Sequence, residues 1–456
     1  MFDLAIKNGH VVDPKNKISA KLNLGITKGK IACISSEQIK GAEEIDVSGL
    51  VVSPGFVDIH IHEDPYNEQE DSFEFCISHT MLKMGVTTAV GGNCGLAWGH
   101  KDPLIYLDAI NRHGFPINMA MLVPHDTIRA QAGVTDLYRK AEQGEADAIA
   151  LRLKEYLEGG CAGFSIGLEY IPGADTEEIS ALLKVAGEHK KVTTAHIRYD
   201  AKRSVIALKE VIGAAEKSGA PLHISHIGGM CAFGQMESAI SLIDSYKANG
   251  MDLEFDCYPY YAFCTTIGSA VFDDGFLNDL GRGEEAYYDL EIASGAHKGE
   301  RCSKESFLAI RKAEPGALVV AHFMDEEEVD SAISHPGCLI ISDGIYKDWQ
   351  GHPRGAGTFP RFIREYVQNK KTISLEEALF KITYGPAKRL GLKKGTLSIG
   401  ADADVTIFDK NKIKDNATFM ESVKEPEGIE YVIIGAKTAL KKGRIIEDRL
   451  GKPIRL

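Results

Sequence analysis

The sequence predicts an α/β protein: a parallel (β/α)8 barrel with a small β-sandwich domain formed by both chain termini. Three observations predict it. Apolar, β-branched runs alternate with amphipathic helical segments through the middle of the chain, the pattern of parallel strands joined by crossover helices. Eight such runs can be counted, and eight βα units close naturally on themselves as in a TIM barrel. Both ends of the chain instead alternate and turn like short strands. At 456 residues the chain exceeds one ordinary core, so one large and one smaller domain are expected.

The N-terminal part carries Leu4-Ala5-Ile6, Val11-Val12 and Lys30-Ile31-Ala32 between turns at Gly9 and Asp13-Pro14. The C-terminal part matches it with Val405-Thr406-Ile407-Phe408, Tyr431-Val432-Ile433-Ile434 and Arg444-Ile445-Ile446. Residues 1–54 and 392–456 are therefore assigned to the sandwich and 55–391 to the barrel. Barrel strands are expected near 57–62, 87–91, 117–122, 163–168, 192–197, 221–227, 253–258 and 338–342. The helix after the fifth strand is expected over 204–218, where Val205, Leu208, Val211, Ile212 and Ala215 fall on one face. Asp175 with Glu178 resembles a helix-capping pair. An open doubly wound sheet would share this rhythm. Residues 262–317 break it with Gly-rich, charged sequence, which reads as an insertion: a surface excursion or a lid over a site.

Composition narrows the partners. Hydrophobic residues make up 44% and charged residues 26%, ordinary for a globular protein. The net charge of −13 argues against nucleic acid and against anionic membrane surfaces. No secretory signal and no transmembrane run are read. The nine cysteines include no Cys-x-x-Cys pair, which suggests a reducing compartment, by default the cytoplasm. Homo-oligomerisation is left open.

The strongest chemical signal begins at Asp58-Ile59-His60-Ile61-His62. On a strand, alternate side chains share a face, so Asp58, His60 and His62 would point together. Alone, His-x-His is weak evidence, since roughly 0.5 such pairs arise by chance in a chain of this composition. Its setting helps: it ends an apolar run, where a barrel strand presents polar groups. Cys94, His196, His226 and Asp343 end four other expected strands. One strand-end Cys is ordinarily a packed thiol, and one strand-end His a structural hydrogen-bonder. Their coincidence at converging ends points instead to a metal, and the donor types suit zinc. Zinc lowers the pKa of bound water to about 7 and polarises carbonyls. Amide hydrolysis then needs a proton shuttle, and Asp343 is the candidate.

Beyond Asp343 lies Gly351-His352-Pro353-Arg354-Gly355. Arg354 there could pair with a substrate carboxylate or cap backbone carbonyls. Arg198, two residues past His196, is a second candidate for substrate. Tyr258 could donate to substrate or simply pack. Glu169, ending the fourth strand, could bridge metals or only accept a hydrogen bond.

Taken together these segments resemble the N-acyl-D-amino-acid deacylases (D-aminoacylases) of the amidohydrolase superfamily. The resemblance runs through Pro54 to His62, Gly85-Val86-Thr87-Thr88, Gly92-Asn93-Cys94-Gly95, Gly163 to Tyr170, His196-Ile197-Arg198, Ile224-Ser225-His226, Tyr258-Pro259-Tyr260, Ser342-Asp343-Gly344, His352-Pro353-Arg354 and Gly400 to Val405. It implies that Cys94, His196 and His226 hold one tight Zn2+. His60, His62 and Asp343 would frame a second, weaker position. Asp343 would be the catalytic acid/base, and Arg354 with Tyr258 would bind the carboxylate of a small acylated amino acid of D configuration. One departure is visible: the family usually carries a Lys two residues beyond the histidine matched to His226, and here that position is Gly228.

Two rival readings remain. Hydantoinase, dihydroorotase or deaminase chemistry on the same scaffold would typically use a carboxylated Lys, where the fourth strand here ends in Glu169. A non-catalytic scaffold would have shed metal ligands, whereas all six candidates are present.

Overall fold

The computed structural model describes residues 1–456. Its barrel strands are Phe56–Asp58, Val86–Gly91, Asn118–Pro124, Gly163–Gly167, Val192–His196, Leu222–Ile224, Leu253–Cys257 and Cys338–Ile340. Each is parallel to the next in chain order. They are almost wholly buried, because helices cover one face and side chains fill the other, which is why they read as continuous apolar runs. The ring closes just past the first and last strands. Asp343 N donates to His60 O and His62 N to Gly344 O, both at 2.9 Å. The Asp58 carboxylate accepts from Ser342 N at 3.2 Å and from His60 N at 3.1 Å.

The crossover helices follow their sequence signals. Thr176–Glu188 starts where the Asp175 side chain accepts from Glu178 N at 2.9 Å, satisfying one of the free N–H groups of the first turn. Ser204–Ser218 buries Ala207, Leu208, Val211 and Ile212 and stops at Gly219 in the left-handed conformation, as glycine permits.

The terminal segments form one nine-stranded sheet. It runs from Arg444–Ile445 through Lys437–Lys441, Ile429–Ile434, Val405–Phe408, Val51–Pro54 and Phe2–Asp13 to Ile18–Thr27 and Lys30–Ser35. The 12-residue strand Phe2–Asp13 pairs with Gly41–Asp46 along its first half and with Val51–Pro54 along its second. Leu4, Ile31 and Ile433 share one buried cluster although they lie on distant strands. The two layers of the expected sandwich are thus a single ladder folded over its own core. The last residues leave this sheet and return to the barrel, where Gly451 N donates to Phe115 O and Ile454 N to Met119 O, both at 2.7 Å.

The irregular stretch after the seventh barrel strand is folded. Phe263–Thr266 and Leu290–Ile292 flank Leu318–Ala321 in an antiparallel three-stranded sheet, and Lys304–Ala313 packs beside it behind a Ser303 cap. No helix is long and apolar enough to cross a membrane.

Candidate active site and metal centre

The donors expected at the strand ends meet at the C-terminal rim of the barrel. Cys94 Sγ lies 3.3 Å from His60 Nε2 and 3.2 Å from His226 Nε2. His196 Nδ1 lies 3.2 Å from His226 Nε2. Asp343 Oδ1 lies 3.1 Å from His62 Nε2 and 3.4 Å from His60 Nε2. Four overlapping groups result: Cys94 with His196 and His226, Cys94 with His60 and His62, Asp343 with His60 and His226, and Glu169 with His196 and Asp200. The six expected donors are all buried.

The backbone is bent to deliver them. Cys94, His226 and Asp343 have φ of 54°, 31° and 50°, the left-handed region that costs a non-glycine residue roughly 1–2 kcal/mol. Each sits just past a strand, and surrounding bonds hold it there. The Asn93 side chain donates to Val90 O at 2.9 Å. Glu63 accepts from Gly92 N at 2.8 Å and Gly99 N at 3.0 Å, bracing the Cys94 loop. The Asp256 carboxylate accepts from His226 N and lies 2.8 Å from His223 Nε2. Neither Glu63 nor Asp256 stands out in sequence, since each acts on a backbone amide that no spacing rule predicts. Strain of this kind gathers at functional sites.

Burial dominates the electrostatics. It lowers His226 to about 3 and His60 well below the ordinary histidine range, so their ring nitrogens keep free lone pairs. It also pushes the Cys94 thiol well up. Burial raises Asp343 too, but Arg354, His60, His62 and His226 outweigh it and hold its carboxyl well below the usual range. Glu169 is pushed up to about 8 by burial.

These residues fit zinc. One sulfur and two imidazole nitrogens lying within 4.8 Å of one another would supply three of the four ligands that a zinc site takes. A cation would offset the cost of a buried thiolate. His62 Nδ1 is buried without a partner. His196 is also braced from behind: its Nε2 lies 2.9 Å from Glu169 Oε2 while its Nδ1 faces the cluster. Glu169 contacts His196 at the ring nitrogen opposite the one that faces Cys94 and His226.

Five of the six donors, all but His60, line a small cavity of about 30 Å³ whose walls include Leu96, Trp98, Tyr170, Phe263 and Ile345. A chamber of about 240 Å³ adjoins it and shares Asp200, Phe263 and Val271. Arg354 lines the inner cavity, with its Nη2 2.8 Å from Asp343 Oδ2 and 3.1 Å from Cys264 O. Its Nη1 is buried and unpartnered, and the guanidinium lies 4.6 Å from the Tyr258 ring centre. Arg198 turns elsewhere. It forms a forked pair with Glu210 and donates to Ala174 O at 2.7 Å, so it lines only the outer chamber. The strand stops at His196, and the alternation that would aim Arg198 inward stops with it. At Gly228 a Cβ would lie 2.9 Å from Cys257 Sγ and 3.1 Å from Met324 Cε, leaving Arg354 as the inner cavity's single Lys or Arg.

Comparison with known proteins agrees with this geometry. Residues 321–440 match the model of the "Amidohydrolase family". The chain is 31% identical to an N-acyl-D-glutamate deacylase of Alcaligenes xylosoxydans xylosoxydans over 95% of its length and 92% of the relative's. It is also 31% identical to a D-aminoacylase of the same organism, over 95% and 93%. Among solved structures, the N-acyl-D-glutamate deacylase of Bordetella bronchiseptica, complexed with zinc and a phosphonate mimic of the tetrahedral intermediate, superposes with a TM-score of 0.89. That match is at 28% identity and covers all of both chains. A D-aminoacylase with a binuclear metal centre gives the same score. With a zinc-type donor set at the rim of a (β/α)8 barrel and relatives matched over nearly its whole length, this chain belongs to the N-acyl-D-amino-acid deacylase (D-aminoacylase) family of metal-dependent amidohydrolases.

Proposed function

We propose that this enzyme removes the acyl group from N-acyl-D-amino acids with neutral side chains, with Asp343 moving the proton. One observation carries the reading: a single cavity is lined by Cys94, His196, His226, Asp343 and one cation, Arg354. In this reading Cys94, His196 and His226 hold the tight zinc, and His60 and His62 with Asp343 frame the weaker position. Bound there, zinc supplies Lewis-acid polarisation of the amide carbonyl and lowers the pKa of water.

The remaining work falls to the chain's own groups. Asp343, held ionised by Arg354 and the histidines, takes the proton of the attacking water at a carboxylate oxygen and returns it to the leaving nitrogen. Arg354 offers its free Nη1 to the substrate's α-carboxylate, and the Tyr258 ring beneath holds the guanidinium flat. Leu96, Trp98, Phe263 and Ile345 exclude water around the scissile bond. Arg354 is the inner cavity's single Lys or Arg and already pairs with Asp343, so an acidic side chain would bring a further negative charge with no free cation there to meet it, a costly burial. The D configuration is supported by the relatives' activity. The nine free cysteines support placement in the cytoplasm.

The test is a substrate panel on zinc-loaded enzyme: N-acetyl-D-leucine and N-acetyl-D-methionine beside N-acetyl-D-glutamate, the L-enantiomers, hydantoin and dihydroorotate. The neutral D-substrates should lead in kcat/KM by about tenfold or more, the scale of one unpaired buried charge. Preference for the acidic substrate would overturn the side-chain assignment, and preference for a cyclic amide the reaction assignment.

A further inference from the structure

At the opposite end of the barrel lies a second and much larger concavity. Its volume is about 1190 Å³, enough for a small-molecule ligand. Asn118, Val192, Pro221 and Asp252 line it, and these stand at or just before the first residues of the third, fifth, sixth and seventh barrel strands. The folded-back C-terminal segment and the terminal sheet complete the walls. The four residue steps from Val192 to His196 alone span about 13 Å, so this crevice is separate from the metal centre.

Its charge is opposite to that of the whole molecule. The protein carries −13, yet ten Lys or Arg residues line the crevice against Asp252, Asp402 and Asp404. All three aspartates are already paired: Asp252 with Arg389, Asp402 with Lys30 and Lys394, and Asp404 with Lys394. Arg455 is taken by Asp108. What remains is Lys28, Lys190, Lys191, Lys388, Lys393 and Lys452, none with an ion-pair partner. Five of these six side chains are exposed to solvent, so water tempers their mutual repulsion, while their gathering in one recess gives it a positive potential. Lys191 is half-buried, and burial lowers its ammonium below the ordinary value without a carboxylate to offset it.

We propose that this crevice binds a small polyphosphorylated anion, the phosphate chain lying among the six unpaired lysines where barrel, terminal sheet and C-terminal segment meet. Several flexible ammonium groups suit an anion with many oxygens and no fixed plane, whereas a lone carboxylate would be better met by a planar arginine fork.

Isothermal titration of the zinc-loaded enzyme with inorganic triphosphate tests this. Saturable one-to-one binding that weakens with added salt is expected. Two variants, Lys190→Gln/Lys191→Gln/Lys393→Gln and Lys28→Gln/Lys388→Gln/Lys452→Gln, should each bind roughly tenfold more weakly for every ammonium group withdrawn from the phosphate chain. A control variant with three exposed lysines changed elsewhere, Lys209→Gln/Lys217→Gln/Lys410→Gln, should bind as the parent does. A nucleoside triphosphate of equal affinity would identify the phosphate chain alone as the ligand, and a tighter one would add the nucleoside to it. No binding at low salt overturns the proposal. So does binding that both crevice variants retain, since extraction of zinc by triphosphate would be indifferent to these lysines.

Discussion

Removing the Glu169 carboxylate should loosen zinc without touching a ligand. A histidine that binds metal through Nδ1 carries its proton on Nε2, and that N–H needs an acceptor when buried. Glu169 Oε2 sits 2.9 Å from His196 Nε2, and His196 is buried, so water cannot easily substitute. Loss of such a supporting carboxylate typically costs 10- to 100-fold in metal affinity, or about 1.4–2.7 kcal/mol. Glu169→Ala should show the whole of this loss. Glu169→Gln keeps an amide oxygen that can accept from Nε2–H, so it should lose less than about tenfold. The assay is competition for zinc against a chelator of known affinity, with KM measured at saturating zinc as a second readout. KM should stay near the parent value, since Glu169 does not line the inner cavity. Parental zinc affinity in Glu169→Ala would refute the reasoning. A parallel loss in both variants would show that the carboxylate itself is required and that a neutral acceptor of the same size cannot stand in for it.

Asp343→Asn should retain zinc yet lose about 10²- to 10⁴-fold in kcat, the usual worth of a positioned acid–base group; activity within tenfold of the parent would remove Asp343 from proton transfer. Arg354→Ala should raise KM by about 10- to 100-fold, the worth of one charge-assisted hydrogen bond to the substrate. It should also lower kcat, because Arg354 holds Asp343 as well; an unchanged KM would argue against carboxylate recognition there. Chelation should abolish hydrolysis and one equivalent of zinc should restore it, checked by metal analysis beside rate; activity persisting in metal-free protein would refute the zinc assignment. Arg129→Leu should cost about 3–5 kcal/mol in denaturant unfolding, because it strands buried Glu178 with only His125 as partner; a loss below about 1 kcal/mol would show that the pair breaks even.

The barrel was legible because its strands are buried on both faces, which forces long apolar runs, and because several of the runs end in a polar residue at the rim where sites form. His60, His62, Cys94, His196, His226 and Asp343 could be picked out for that reason alone. Directions of side chains were less legible once a strand had ended. Asp58 shares the alternation of His60 and His62, yet its carboxylate turns to Ser342 N and closes the ring. Arg198 follows His196 by two residues, but the extended backbone stops at His196, and Glu210 on the next helix takes the guanidinium. The stretch after Tyr258 was hidden for another reason. Its strands, Phe263–Thr266, Leu290–Ile292 and Leu318–Ala321, are three or four residues long, too short for any period to register. They are stable only because they pair with each other across some fifty residues of chain. The same limit applies to chemistry: spacing along a chain finds ligands that strands deliver. Two groups that hold those residues in place, Glu63 and Asp256, act on backbone amides, and Glu169, legible as a polar strand end, acts on the far side of the His196 ring rather than as a bridge. Only the assembled rim makes them neighbours of the metal site, and that is why variants at Glu169 measure how the centre is built while those at Asp343 measure what it does.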